Sequence, residues 1–287
     1  MSRQDASDLR FPRLRFVPLE LLIPHEREDL RRTTSLTERL QGSGVLRNPP
    51  VITPGTSVGD ATRFVVLDGA NRVSTLRTLG YPHVVAQIVD YEEPAVRLST
   101  WHHALVDLPL CDLERELAGT SGLTICKEDL SHARALLARR ESIAFIRCAE
   151  TATTLSLHGG HDLHERNRIL NAVVDLYRGV RPYHRVTRDS LEEARASDPK
   201  VTSLVVFPRF DPDEILEIAL SGARLPAGIT RHVIAWRALR VNIPLAILSD
   251  KAQAMEAKNT WLAQWVSERE ALNTIRFYEE STVLFDE

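Results

Sequence analysis

Nine consecutive residues constrain this chain more than any others: Phe64-Val65-Val66-Leu67-Asp68-Gly69-Ala70-Asn71-Arg72. The apolar run reads as a strand that ends in an acid and a glycine. A short helical pattern, Val73–Leu79 stopped by Gly80, follows at once. Such a junction leaves backbone N–H groups at a helix N-terminus, where hydrogen bonds and the helix dipole both favour an anion. Arg72 in the first turn adds a planar cation suited to two-pronged phosphate contact. Asp68 stands at the C-terminal end of the strand, where α/β proteins usually keep reacting groups. A plain β-turn-α connection, with Asp68 as a cap and Arg72 in solvent, fits the same residues, since one glycine is far weaker than a P-loop.

The surrounding chain narrows the class. Its 287 residues carry 36 Lys+Arg against 39 Asp+Glu, a formal charge of −3, which argues against non-specific nucleic-acid binding. No apolar run approaches the roughly 20 residues of a membrane span. The N-terminus alternates polar and basic residues and lacks an apolar signal core. A cytoplasmic, soluble protein is expected. The three cysteines, Cys111, Cys126 and Cys148, are odd in number and widely spaced, which argues against a disulfide framework or a four-thiolate zinc site.

The first hundred residues read as α/β. Arg15–Leu19, Val51-Ile52, Phe64–Leu67, His83–Val89 and Val96–Trp101 are strand candidates, with a turn at Ile23-Pro24-His25-Glu26. Ser35 and Glu38 make a capping-box pattern that opens a helix running to Gly42. Beyond about residue 105 helices dominate: Lys127–Arg140, Leu163–Tyr177, one opened by Asp211-Pro212, and Met255–Val266. Ser203–Phe207 and Thr282–Phe285 are further strand candidates. The change of pattern near 104–112 predicts two domains, 1–108 and 109–287. The expected class is α/β (α+β): an N-terminal mixed sheet with short helices, then a helix-rich C-terminal α/β domain.

Several features are ambiguous taken singly. His25-Glu26, ahead of Arg27, Arg31 and Arg32, places an acid at a strand exit, where it can serve as a general base or simply sit in solvent. Ser99-Thr100-Trp101-His102-His103 ends a strand with an aromatic that fits core or pocket. His158, His161 and His164 invite a metal reading, but the spacing is not that of a zincin helix and Gly159-Gly160 argue for a loop. Arg231, His232, Trp236, Arg237 and Arg240 form a basic stretch that fits a polar sheet edge, or a nucleic-acid or dimer surface. The apolar Val241–Leu248 fits core or a homodimer face equally.

Together, strand–turn–HE, RNPPVI, FVVLDGANRVSTLRTLGYPHVVAQIVDY and LSTWHH resemble the ParB/sulfiredoxin-like fold over roughly residues 14–104. The resemblance is closest to the free L-serine kinases of the SbnI/SerK type. It extends into Leu225-Pro226-Ala227-Gly228-Ile229-Thr230-Arg231 and Val241–Leu248. It implies a nucleotide-dependent kinase that makes O-phospho-L-serine, with siderophore or specialised amino-acid biosynthesis as its setting.

By that resemblance Glu26 activates the serine hydroxyl, and Asp68 is a second acid near the hydroxyl or a metal. Gly69, Ala70, Asn71 and Arg72 cradle phosphate, with Arg32 and Arg47 as further phosphate contacts. Trp101, with Thr100 and His102, lines the amino-acid pocket. ATP or ADP is the donor, and Mg²⁺ arrives through the nucleotide, with no protein-held metal beyond a contact from Asp68. No axial ligand for a haem is identified. Asn71 stands where the family has histidine; asparagine can hydrogen-bond phosphate but cannot become a cation. The rival reading is a nucleotide-responsive ParB-like DNA-binding regulator, which needs a basic recognition helix; the helix at Asp211–Leu220 is acidic instead. A sulfiredoxin-like reductase needs a cysteine in the phosphate loop, where this chain has Ala70-Asn71.

Overall fold

Side-chain alternation along the strand that leads into Gly69 feeds two separate cores. The computed structural model describes residues 11–278 other than 59, 60, 93, 95 and 109. Its first half runs β1 (Arg13–Pro18), a 3-10 turn (Leu19–Leu21), β2 (Leu22–Pro24), α1 (Leu30–Ser43), β3 (Val45–Leu46), β4 (Val51–Val58), β5 (Ala61–Asp68), α2 (Ala70–Thr78), β6 (His83–Ile88) and β7 (Val96–Thr100). Among the described residues, five strands form a mixed sheet in the order β1-β6-β4-β5-β2. β2 runs parallel to β5, while β4 pairs with β5 antiparallel. Val65 and Leu67 of β5 face one apolar core and Phe64 and Val66 the other. A strand covered on both faces has no solvent side to mark with polar residues, so Phe64–Leu67 is continuously apolar.

The second half runs β8 (His102–Val106), α3 (Leu110–Ala118), β9 (Thr124–Glu128), α4 (Leu130–Ala138), β10 (Ala144–Cys148), β11 (Thr154–His158), α5 (Leu163–Asp175), β12 (Tyr183–Val186), α6 (Leu191–Ser197), β13 (Val201–Val206), α7 (Pro212–Leu220), β14 (Thr230–Ile234), β15 (Ile243–Pro244), α8 (Leu245–Ser249) and α9 (Met255–Ala271). A second sheet, six-stranded among the described residues, has the order β12-β8-β13-β10-β11-β9. The mixed α/β class expected from sequence is what forms. The chain then returns to its first half. β14 pairs with β7 and β15 with β3, and Leu245, Leu248 and Leu262 join Phe16, Ile52 and Val66 in one core.

Two local expectations need correction, and a third is untested. Ser35 does not begin α1, which starts a turn earlier at Leu30. Asn71 Oδ1 accepts from Asp29 N–H at 2.9 Å and ties that earlier turn to the start of α2, a tertiary contact that a local capping pattern does not contain. The predicted helix Lys127–Arg140 gives up its first residues to β9, which pairs with β11; Asp129 caps α4 by accepting from His132 N–H. Thr282–Phe285 lies outside the described residues.

Candidate active site

Glu26 is held by the far end of the chain. After β2 the backbone leaves the sheet and makes a parallel bridge with Leu225, through Leu225 N–H to His25 O at 2.8 Å and Arg27 N–H to Leu225 O at 2.9 Å. That contact lays residues 226–230 over the glutamate. Gly228 N–H donates to Oε2 at 2.8 Å, while Ile229 and Thr230 N–H donate to Oε1 at 3.1 and 2.7 Å. The Thr230 hydroxyl completes the set, 2.6 Å from Oε1. Gly228 has φ +75°, and a Cβ there would fall into the Arg185 guanidinium, so only glycine brings this N–H so close. Behind Glu26, buried His25 lies 2.7 Å from Thr230 Oγ1 through Nε2 and 2.5 Å from Val66 O through Nδ1.

Asp68 sits where β5 ends, and its Oδ2 receives Arg72 Nη2 at 2.5 Å and also Arg237 Nη2. Burial would raise the Asp68 pKa, but the two guanidiniums outweigh it and hold the carboxyl well below the usual carboxylate range. Arg72 spends Nη1 on Asn48 O at 2.7 Å and Pro49 O at 3.1 Å, fixing the loop before β4. Gly69, the N-cap of α2, has φ +95°; a Cβ would stand 2.9 Å from Arg72 Nη2 and 3.0 Å from Pro50 Cβ. Beside them His232 lies 2.7 Å from the Tyr91 hydroxyl. Burial above all pushes the His232 pKa down to about 3, so its ring is neutral near pH 7.

These groups open on one cavity of about 1130 Å³. Glu26, Asp68, Gly69, Ala70, Asn71 and Arg72 all line it, as do Arg32, Arg47 and Trp101. Eight arginines stand in its wall against three carboxylates, Glu26, Asp29 and Asp68. That imbalance makes a local field suited to a polyanion, although the whole chain is slightly acidic. Asn71 turns its Oδ1 to the Asp29 N–H. Arg231 lies over the Trp101 ring, 5.0 Å from its centroid.

Thr100 and His102 do not share the Trp101 pocket, which corrects the expectation for both. Adjacent residues of an extended chain point to opposite sides. Thr100 is buried and donates its hydroxyl to Pro208 O at 3.1 Å. His102 opens β8 in the second sheet, where its Nδ1 accepts from Phe207 N–H at 3.3 Å and burial lowers its pKa to about 4. Among the described residues no group of three or more His, Cys, Asp or Glu is arranged to hold a metal ion. Of the three histidines near 160, His158 lies against Glu141 O at 2.9 Å and His164 against Glu217 at 3.4 Å. Among the described residues no helix is long and apolar enough to cross a membrane.

Sequence reasoning gave Gly228, Thr230 and Arg185 no place in the site and read Arg231, His232 and Arg237 as a polar sheet edge or a nucleic-acid or dimer surface, yet all six line the cavity. The signal available was the PAGITRH segment itself, a glycine just ahead of a strand that starts with a hydroxyl residue.

The fold matches that of free serine kinases. A free serine kinase solved in complex with AMP superposes with a TM-score of 0.69 over 83% of this chain and 95% of its own, at 19% identity. SbnI with a C-terminal truncation, from Staphylococcus aureus, gives 0.68 over 90% and 97%, at 21% identity. In sequence, the chain is 24% identical to the ATP-dependent L-serine kinase SbnI of S. aureus, over 96% of this chain and 97% of that one. It is 25% identical to the ADP-dependent L-serine kinase SerK of Thermococcus kodakarensis, over 80% and 90%. The similarity to an ATP-dependent L-serine kinase of Staphylothermus marinus is 32% over 90 residues, only 34% of that protein's length. No protein-family model matches the chain.

Proposed function

We propose that this chain is a free L-serine kinase, moving a phosphoryl group from ATP or ADP to the serine hydroxyl to give O-phospho-L-serine. The observation that carries the reading is one cavity in which a fully oriented carboxylate, Glu26, shares the wall with a helix N-terminus and eight arginines. Similarity to L-serine kinases over nearly the whole chain supports it.

In this reading Glu26 takes the hydroxyl proton as the serine oxygen bonds to phosphorus and the phosphoanhydride P–O bond breaks. The N–H groups from Gly69 to Arg72 and the guanidiniums of Arg32 and Arg47 meet the phosphates. Phosphoryl transfer asks a protein mainly for alignment and charge neutralisation, which these groups supply. Asp68 is the second acid, and its two arginine partners assign it to ordering the phosphate loop. Trp101 bounds the amino-acid pocket. Mg²⁺ would enter on the nucleotide and screen phosphate charge. The described residues build no cage for it, and Asp68 Oδ2 already holds two guanidiniums, so no residue is assigned to the ion.

In this reading 1–108 is the nucleotide-binding part, with a ParB/sulfiredoxin-like architecture over 14–104 supported by the strand–DG–helix element, although β8 within it joins the second sheet and Leu245, Leu248 and Leu262 return to its core. Residues 109–287 form the C-terminal part, which lends the 226–237 segment to the site. The product suits specialised amino-acid or siderophore biosynthesis. The test is direct: incubate the protein with L-serine, Mg²⁺ and either ATP or ADP and follow phosphoserine by ³¹P NMR. No phosphoserine with either nucleotide, from protein shown to be folded, rejects the reading.

A further inference from the structure

The Thr230 hydroxyl has one proton and two acceptors. Oγ1 lies 2.6 Å from Glu26 Oε1 and 2.7 Å from His25 Nε2. Val66 O, 2.5 Å from His25 Nδ1, can only accept, so Nδ1 carries a proton. A neutral His25 therefore offers a bare Nε2. Thr230 is 8% exposed and His25 3% exposed, so bulk water does not relieve the competition.

The two oxygens of Glu26 are unequally occupied. Oε1 takes three donors and Oε2 only one, the Gly228 N–H. A carboxylate has about four lone-pair positions, two on each oxygen. The position left over is on Oε2, and that oxygen is the one able to receive a substrate proton.

We propose that Thr230 and His25 are positioning residues that act through Glu26 as a hydrogen-bond switch. While Glu26 is a carboxylate, its charge draws the Thr230 proton to Oε1, since a charged acceptor makes the stronger bond. When Oε2 takes the proton of the substrate hydroxyl, the charge vanishes and Oε1 becomes an ordinary carbonyl oxygen with two N–H donors still on it. The Thr230 O–H then turns to His25 Nε2. One O–H bond breaks on the substrate and one forms on Oε2. Thr230 keeps its own proton and only the direction of its hydrogen bond changes. Both states of Glu26 are thereby matched to their surroundings, and the backbone that holds the carboxylate does not move.

This inference rests on the kinase reading, and two measurements separate their failures. Phosphoserine formation by the wild type tests the reading alone. The switch is tested with Thr230→Val, which keeps the shape and removes the hydroxyl, Thr230→Ser, which restores it, and His25→Asn, which keeps a donor for Val66 O and removes the Nε2 acceptor. Thr230→Val and His25→Asn should each lower kcat by about tenfold, one hydrogen bond's worth, with the KM for serine within about twofold. Thr230→Ser should stay within about threefold of wild type. Equal losses in kcat and folding that Thr230→Ser does not rescue, or an unchanged kcat in Thr230→Val, overturn the switch. Independently of turnover, ¹⁵N NMR of the resting protein should show His25 protonated on Nδ1 and bare on Nε2. The Nε2 signal should shift in Glu26→Gln, whose neutral amide releases the Thr230 proton. A doubly protonated His25, or no shift in Glu26→Gln, overturns the switch even in a protein that makes phosphoserine.

Discussion

Arg237 reaches Asp68 across 169 residues of sequence and binds the same Oδ2 that Arg72 holds. The pairing ties the strand–glycine–helix junction to the segment after β14, so the loop around Gly69 and the chain leaving β14 are held by one carboxylate. Asp68→Asn weakens both contacts. The expected cost is about 1–2 kcal/mol at pH 7, below that of a fully buried pair because the side chain is 42% exposed. The Asp68 carboxyl is held below its unfolded value, so its contribution is complete at neutral pH and is lost as pH falls below about 4. Urea unfolding of wild type and variant should show a gap at pH 7 that narrows toward pH 3.

Glu26→Gln should lower phosphoserine formation by about 10²–10⁴-fold, the usual worth of a general base. The amide also turns a donor toward either Gly228 N–H or the Ile229 and Thr230 N–H groups, for a stability loss of about 1 kcal/mol. Nucleotide affinity, read by calorimetry, should stay within about threefold. Full activity in the variant would remove Glu26 from the chemistry.

Gly69→Ala places a Cβ at φ +95° against Arg72 and Pro50. Left-handed backbone strain of about 1–2 kcal/mol adds to that contact. The expected outcome is a lowered melting temperature and weaker nucleotide binding together, because Arg72 must shift away from Asp68. A loss of stability with unchanged affinity would separate the glycine from the phosphate loop.

His103 is fully buried in the second sheet, 2.8 Å from the Tyr177 hydroxyl and 3.2 Å from Gly228 O. Burial pushes its pKa down to about 3 against the opposing effect of the Gly228 carbonyl. The unfolded chain therefore binds a proton below about pH 6.5 that the folded one refuses until about pH 3. Stability should fall as pH drops through that window, at up to about 1.4 kcal/mol per pH unit from this residue. In His103→Gln the difference in urea midpoint between pH 7 and pH 5 should shrink.

Lys258 has no exposed surface, yet its ammonium is satisfied: Nζ donates to Ile247 O at 2.7 Å and Asp250 O at 2.5 Å, with His83 Nδ1 at 3.1 Å. It also lies 5.7 Å from the centre of the Phe16 ring. Lys258→Met fills the space but leaves two carbonyls without their donor, for an expected loss of about 2–4 kcal/mol in denaturant unfolding. An unchanged midpoint would mean that water replaces the ammonium at no cost.

How much of this was legible in the sequence divides along the range of the forces involved. The junction from Phe64 to Arg72 was readable because a strand, a left-handed glycine and a helix start within nine residues depend on neighbours in the chain, and β5, Gly69 and α2 occupy those positions. The strand at Val96–Thr100 was readable for the same reason. The sequence also marked Glu26 and Trp101 as residues worth chemistry, and both line the cavity. The partners of Glu26 were not legible. Three of its four donors are backbone N–H groups from residues 202 to 204 positions away, and a backbone N–H has no side-chain signature. Nor could the chain, with a net charge of −3, announce a cavity walled by eight arginines. Thr100 and His102 were misplaced because neighbours in sequence were taken as neighbours in space, whereas an extended backbone sends adjacent side chains to opposite sides. Local backbone preference and hydrophobic pattern were written in the sequence. The surroundings of each charged group were decided by tertiary structure, because hydrogen bonds and fields act through space, between segments that meet only once the chain has folded.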